Sequence, residues 1–383
     1  MVTDTYLPRV NGVARSVQSF AQQFREQGHR VWIFAPEFPD FKDQEPDVVR
    51  FPSRFLSFDP EDRLANMKHP GSLALIAKLS EYKLDIIHNQ TPFSLGLASI
   101  RWARHLQIPV VHTYHTLFEA YVHNYLKWVP EFVGHASAAW FSRWYCNKHD
   151  LIIAPSSPMA DALKGYGVKA PIAINPTGID LTPFQNLDGE RMRKQLGFAS
   201  DDIMLLAMGR VAREKNLPFL LDVLERMIPL QPKARLVIAG LGPALDEIKA
   251  EVTRRRLDPK VVYIGYLNRK DWADLYAAAE LHLLASVTET QGMVLTEAMA
   301  AGTPCVAVAA MGVKDVMADG GGLAVNLDLA EYTNAVQRLL TDKKLYAEKL
   351  EEAKRQAQNW SIQAKAKELL GKYAALVANR KKP

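Results

Sequence analysis

The chain has 383 residues, 48% of them hydrophobic and 23% charged, the balance of a soluble globular protein of roughly two domains. That composition excludes a disordered chain, a collagen-like fibre and a disulfide-stapled mini-domain, and the two cysteines, Cys146 and Cys305, lie far apart without zinc-ligand spacing, as expected in a reducing compartment. The 47 Lys and Arg against 42 Asp and Glu leave a net charge of +5, which attracts anions in general; basic runs such as the tail Arg380-Lys381-Lys382 are short, so a dedicated nucleic-acid protein is not expected.

Short apolar runs rich in Val and Ile alternate with longer segments of helical periodicity along the whole chain. Met1-Val2-Thr3 leaves room for only a stub of a first strand. Strands are then expected at Val31–Phe34, Val48–Phe51, Asp85–His88, Pro109–His112, Leu151–Ala154 and Pro171–Ile174. The rhythm repeats at Ile203–Met208, Leu236–Ala239, Val261–Ile264, Leu281–Ala285, Cys305–Val308 and Leu323–Val325. Each run is nearly continuous in apolar residues, as in parallel strands covered by helices on both faces, so two doubly wound α/β domains in tandem are expected. Turn residues cluster at Pro176-Thr177-Gly178-Ile179-Asp180, which marks the seam, and a last helix is expected from Trp360 to Asn379. No apolar run approaches the ~18 residues of a membrane span. Asp4 and Arg9 interrupt the N-terminus before a signal-peptide core can form, so a cytoplasmic protein is expected.

Ligands of such sheets bind beyond the carboxyl ends of the strands, and two sheets facing each other would gather those ends around a shared cleft. The most informative segment, Ser286 to Pro304, follows the Leu281 strand, turns at Gly292 and enters a helix ending at Gly302. Backbone amides of Gly292, Met293 and Val294 at that helix start suit a phosphate or electron-rich hydroxyls. Glu289 lies just before the helix and Glu297 about one turn inside it, so both carboxylates can face one ligand; the bland alternative is a capped helix with a solvated glutamate.

The Glu-x7-Glu pattern of Glu289 and Glu297, followed by Ala298-Met299-Ala300-Ala301-Gly302-Thr303-Pro304, resembles the signature of glycosyltransferase family 4. These are retaining enzymes of the GT-B fold, two Rossmann-like domains facing across a central cleft, and the similarity extends over essentially the whole chain. The resemblance implies an acceptor domain over residues 1–178, a nucleotide-sugar donor domain over 179–360 and a helix over 361–383 crossing back to the first domain. Glu289 would contact donor-sugar hydroxyls, Glu297 the nucleotide ribose, and the amides of Gly292, Met293 and Val294 the sugar and diphosphate.

Gly209-Arg210-Val211-Ala212-Arg213-Glu214-Lys215 follows the Ile203 strand. Arg210 offers a planar fork to phosphate oxygens and Lys215 a compact charge, and both match the family's diphosphate-binding pair, which neutralises the leaving group. Arg213 fits a solvated position instead. The turn with Gly240 and Gly242 resembles the family's turn near the nucleotide. In the first half, the loop Thr3 to Val13 leads into a helix, and Gly12 is expected to permit a close backbone approach and positive φ beside the diphosphate. His115, at the end of the Pro109 strand, matches the family histidine beside the reacting carbon; His112 reads as structural. Catalytic roles are thus expected for His115, Glu289, Arg210 and Lys215. No Asp-x-Asp triplet or metal-ligand spacing occurs, so no metal or other cofactor is expected, and retention would proceed by front-face displacement or a short-lived ion pair.

The acceptor is read from an aromatic stripe, Tyr114, Phe118, Tyr121, Tyr125, Trp128 and Phe132, spaced 4, 3, 4, 3 and 4, extended by Trp140, Phe141, Trp144 and Tyr145 with Arg143 and Lys148 nearby. Such a stripe is either a helix core or an amphipathic surface for an anionic membrane. Phe51, Phe55, Leu56 and Phe58, with Arg50 and Arg54, would add to that surface. The segment His115 to His123, including Glu119, resembles members that glucosylate diacylglycerol, although Asn124 stands where an aromatic is expected. The expected partners are therefore UDP-glucose and a lipid acceptor, with peripheral attachment to the inner face of the membrane. The alternatives are a soluble sugar or polysaccharide acceptor, a GT-B-fold nucleotide-sugar epimerase, and a two-domain sugar-binding protein.

Overall fold

The computed structural model describes residues 1–9, 11–43, 45, 47–56, 59–115 and 131–380. The chain divides into two compact units, one of Met1–Gly178 with Ile362–Pro383 and one of Ile179–Ser361.

In the first unit, β1 (Ile33–Pro36) pairs in parallel with β2 (Val48–Phe51). The strands β5 (Ile87–Asn89), β6 (Val110–Thr113), β7 (Leu151–Ala154) and β8 (Ile172–Ile174) pair in parallel in that order. The N-terminal stub joins the two sets: Val2 bridges Phe34 on one side and Asn89 on the other, with the Val2 amide 2.9 Å from the His88 carbonyl and the Thr3 amide 3.0 Å from that of Phe34. A single residue thus does the work of a central strand. The chain runs outward from it to β1 and β2 and then returns to β5 on its other side, so the sheet reverses direction between Val2 and β5.

Between β2 and β5 lies a hairpin that the apolar pattern does not announce, β3 (Ser53–Leu56) antiparallel to β4 (Asp59–Ala65). It corrects part of the expected membrane surface. Phe51 is fully buried and stacks on Trp102, and Arg50 is turned inward, holding Asp43 through two hydrogen bonds of 2.8 and 2.6 Å and the carbonyls of Leu7 and Pro36. Arg54 and Phe55 are exposed, with the Arg63 guanidinium 4.0 Å from the Phe55 ring centroid; the side chains of Leu56 and Phe58 lie outside the described residues.

The last helix, Ile362–Arg380, completes this unit's core. Its Ile362, Ala366, Leu369 and Tyr373, at helical spacing, pack with Val17, Phe20 and Phe24 of the helix Gly12–Glu26.

The second unit is one parallel sheet in the order β11-β10-β9-β12-β13-β14, built from β9 (Ile203–Met208), β10 (Ala234–Ala239), β11 (Val261–Ile264), β12 (Leu281–Leu284), β13 (Cys305–Val308) and β14 (Gly322–Val325). Alternate side chains enter two separate cores. Leu205, Leu236, Leu283 and Val306 face one layer of helices, and Met204, Leu206, Val237 and Cys305 face the other. From β9 the chain proceeds to β10 and β11 on one side and then to β12 on the other, so the switch point of this sheet falls between β9 and β12.

Candidate active site

The candidate residues Arg210, Lys215 and Glu289 lie beyond the carboxyl ends of β9 and β12. Beyond β9 the chain passes Gly209 and the exposed Arg210 into a short turn, Arg213–Lys215. Gly240, beyond the neighbouring β10, sits so close that a Cβ there would lie 2.0 Å from the Gly209 carbonyl oxygen, which only glycine permits. Gly242 presses on Val211 in the same way. Arg213 extends into solvent and pairs with Glu247, in keeping with its solvated reading.

Beyond β12 the chain enters the loop that bears Glu289. Its carboxylate meets the Lys215 ammonium in an ion pair that spans the switch point, the two side chains being 14% and 20% exposed. The Glu289 carbonyl accepts a 2.8 Å hydrogen bond from the Gly312 amide, which fixes the loop beneath. Gly292 then takes φ +78° and starts the helix Met293–Ala300 with no side-chain cap, so the first-turn amides of Met293 and Val294 stand at the positive end of the helix.

Glu297 lies further along this helix and is buried. The Tyr276 hydroxyl donates to its Oε2 at 2.9 Å, and burial together with this carboxylate pushes the phenol well above its ordinary range. Tyr276 is itself anchored, its carbonyl accepting from the Thr303 hydroxyl at 2.7 Å and its ring packed edge-on against buried His282. Burial draws the His282 imidazole down to about 3. Sequence reasoning missed Tyr276: a tyrosine within a helical repeat reads as core, and only the fold brings it to Glu297. The alternative of a solvated glutamate does not hold for Glu297, and Glu289 and Glu297 differ in setting, one ion-paired at the rim and one held from below.

In the first unit the switch point gathers the loop after Val2 and the ends of β5 and β6. Asp4 is fully enclosed; Oδ1 accepts from the Ser94 hydroxyl at 2.6 Å and the Leu95 amide at 2.9 Å, and Oδ2 from the Thr91 hydroxyl at 2.8 Å. Burial raises its carboxyl above the usual range, against these hydrogen bonds. It thereby caps the helix Ser94–Leu106 from a distant segment, a role with no local sequence signal. Asn11 caps the helix Gly12–Glu26, accepting from the Ala14 amide at 2.9 Å. Gly12 begins that helix; it does not take positive φ, and a Cβ there would meet nothing within 4 Å, so the expected special backbone is corrected to an ordinary first turn.

The His115 Nε2 lies 2.8 Å from Gln90 Oε1, and burial draws the imidazole down to about 4, so it is neutral at physiological pH. His112 is fully enclosed against the Asn89 side chain, as a structural histidine. Tyr114 is corrected from the acceptor stripe to the core: it is buried and its hydroxyl meets Ser142 Oγ at 2.7 Å. Phe118, Glu119, Tyr121, Tyr125, Trp128 and the side chain of Phe132 lie outside the described residues. On the helix Glu131–Cys146 the remaining stripe divides, Tyr145 facing inward while Trp140 and Trp144 are exposed and stack with centroids 6.3 Å apart. With Arg143, Asn147, Lys148, Gly167 and Lys169 they line an open groove of about 650 Å³. Among the described residues no group of three His, Cys, Asp or Glu side chains is placed to hold a metal, and no helix is long and apolar enough to cross a membrane.

The family model for Glycosyltransferase Family 4 matches residues 10–183, and that for Glycosyl transferases group 1 matches residues 188–360. The alpha-monoglucosyldiacylglycerol synthase of Streptococcus pneumoniae is 35% identical over 314 residues, 80% of this chain and 70% of that protein. A GDP-mannose-dependent alpha-mannosyltransferase of Mycolicibacterium smegmatis is 27% identical over 396 residues, 99% of this chain and 98% of that protein. The structure of Anabaena Alr3699/HepE in complex with UDP has the same fold, with a TM-score of 0.78 at 19% identity over 98% of this chain and 99% of that one.

Proposed function

The chain belongs to glycosyltransferase family 4 and has the GT-B fold, and from that premise we propose that it transfers glucose from UDP-glucose to diacylglycerol at a membrane surface, with retention of the anomeric configuration. The observation that carries the donor half is the constellation at the β9–β12 switch point: Arg210, Lys215, an uncapped helix start and two acidic side chains on one sheet edge. In this reading Arg210 and Lys215 take the diphosphate and neutralise the charge that grows on it as the glycosidic bond breaks. The amides of Met293 and Val294 add fixed dipoles, Glu297 takes the ribose, and Glu289 takes sugar hydroxyls. His115, neutral and tied to Gln90, offers the reacting centre a hydrogen-bonding group and no positive charge, which suits a carbon that becomes cationic. We assign no metal or other cofactor a part in these steps.

The acceptor half is supported by the name of the S. pneumoniae relative and by the exposed Trp140 and Trp144 beside Arg143, Lys148 and Lys169, a combination suited to an interface with anionic headgroups. Peripheral attachment to the cytoplasmic face follows from that reading. The M. smegmatis relative, matched over nearly its whole length, supports a mannosyl donor as the second reading.

The test mixes the purified chain with UDP-glucose or GDP-mannose, and with diacylglycerol in anionic vesicles or a panel of soluble sugars, and identifies products by mass spectrometry. A hexosylated lipid formed from UDP-glucose is expected. A product formed only from GDP-mannose would overturn the donor assignment, and UDP release without a lipid product would overturn the acceptor assignment.

A further inference from the structure

The two groups assigned to opposite ends of the donor, Lys215 to its diphosphate and Glu289 to its sugar, are in contact with each other. Both are held from behind. The Lys215 amide donates to the Ala212 carbonyl at 3.0 Å within its turn. The Glu289 carbonyl is bound by the Gly312 amide, and a Cβ on Gly312 would lie 2.4 Å from the Thr290 carbonyl oxygen, so the loop rests directly on that backbone. The carboxylate therefore sits beside the phosphate-binding cation by construction. Its negative charge offsets one of the two positive charges, Arg210 and Lys215, that a diphosphate would meet, in a partly buried setting where solvent screening is incomplete.

Resting on the donor-site reading above, we infer that Glu289 is an internal counter-anion that makes this site discriminate between the sugar-bearing donor and the sugar-free nucleotide diphosphate. When a sugar is present, its hydroxyls donate to Glu289 and stabilise the carboxylate beside the diphosphate. Once the sugar has been transferred, the product carries more negative charge on its terminal phosphate and no longer offers donor-sugar hydroxyls to Glu289, so Glu289 opposes its binding and competes for Lys215. The residue thus serves product release as well as sugar recognition. A carboxylate whose sole part was to bind the sugar would leave affinity for the sugar-free nucleotide untouched.

The experiment is calorimetric titration of the full chain with UDP and, as a probe without phosphate, uridine. Glu289→Gln is expected to tighten UDP about fivefold, the scale of a partly exposed ion pair, and to leave uridine unchanged. Glu289→Ala, which removes the charge without adding an amide, must move UDP affinity the same way. In a Lys215→Ala background a gain in the same direction should remain, because the Glu289 charge still opposes the diphosphate directly. UDP binding that is unchanged or weaker in both Glu289 variants overturns the inference while leaving the donor site standing, provided that Lys215→Ala by itself weakens UDP. If Lys215→Ala leaves UDP affinity where it was, the donor-site reading fails, and this inference with it.

Discussion

Glu297 shows how a single residue's setting decides its chemistry. A buried polar group is costly without hydrogen-bond partners, and the Tyr276 hydroxyl supplies Glu297 with one at 2.9 Å. Removing that hydroxyl leaves the ring's packing against His282 in place and takes one hydrogen bond from the carboxylate. Tyr276→Phe is therefore expected to raise the KM for the nucleotide sugar by about tenfold while kcat changes little, the effect of roughly one hydrogen bond to a charged group. Steady-state kinetics check this; an unchanged KM would show that Tyr276 only fills space. The glutamate pair itself was legible in the sequence because a Glu-x7-Glu spacing beside a glycine turn is a local pattern. Tyr276 was not, because twenty-one residues separate it from Glu297 and their contact exists only once two helices have packed. Asp4, which caps a helix some ninety residues away, was hidden for the same reason.

At the level of elements, the first unit's sheet edge holds a cluster of neutral histidines. His88 lies on β5, His112 on β6, His115 just past it and His149 just before β7. His88 bonds Thr113 at 2.7 Å and also meets Tyr373 of the last helix, and His149 lies 2.8 Å from the Asn89 side-chain nitrogen. Burial draws His115 and His149 down to about 4 and holds His88 and His112 well below the ordinary range. An unfolded chain takes up these protons near pH 6.5, so between pH 6.5 and about 4 the unfolded state binds more protons than the folded one. Stability from this cluster is thus complete above pH 6.5 and is lost as the pH falls, by about 1.4 kcal/mol per pH unit for each such histidine. Urea unfolding should show a clearly lower midpoint at pH 5 than at pH 7; equal midpoints would contradict the neutral cluster. The strands themselves were legible because parallel strands buried on both faces are apolar throughout. The β3–β4 hairpin was not, since Arg54, Asp59, Glu61, Asp62 and Arg63 break any apolar run. The aromatic stripe misled at Tyr114 because helical spacing does not distinguish rings that enter a core from rings that leave it.

For the whole molecule, the repeating rhythm of apolar runs and helices made a tandem α/β protein legible, and each unit places its polar groups where its sheet reverses direction, at Val2–β5 and at β9–β12. That the last helix completes the first unit was implied by the family resemblance and was not legible in the periodicity, which marks Ile362, Ala366, Leu369 and Tyr373 as one face but not the partners Val17, Phe20 and Phe24 that they meet. On the proposed reading, this family 4 glycosyltransferase would use the cations and dipoles of its second unit to release a nucleotide diphosphate while the anomeric centre keeps its configuration. The most direct measurement is the proton NMR spectrum of the product formed from UDP-glucose and diacylglycerol. An α-glucosyl product, with the small coupling of an equatorial anomeric proton, is predicted; a β-glucosyl product would contradict the account.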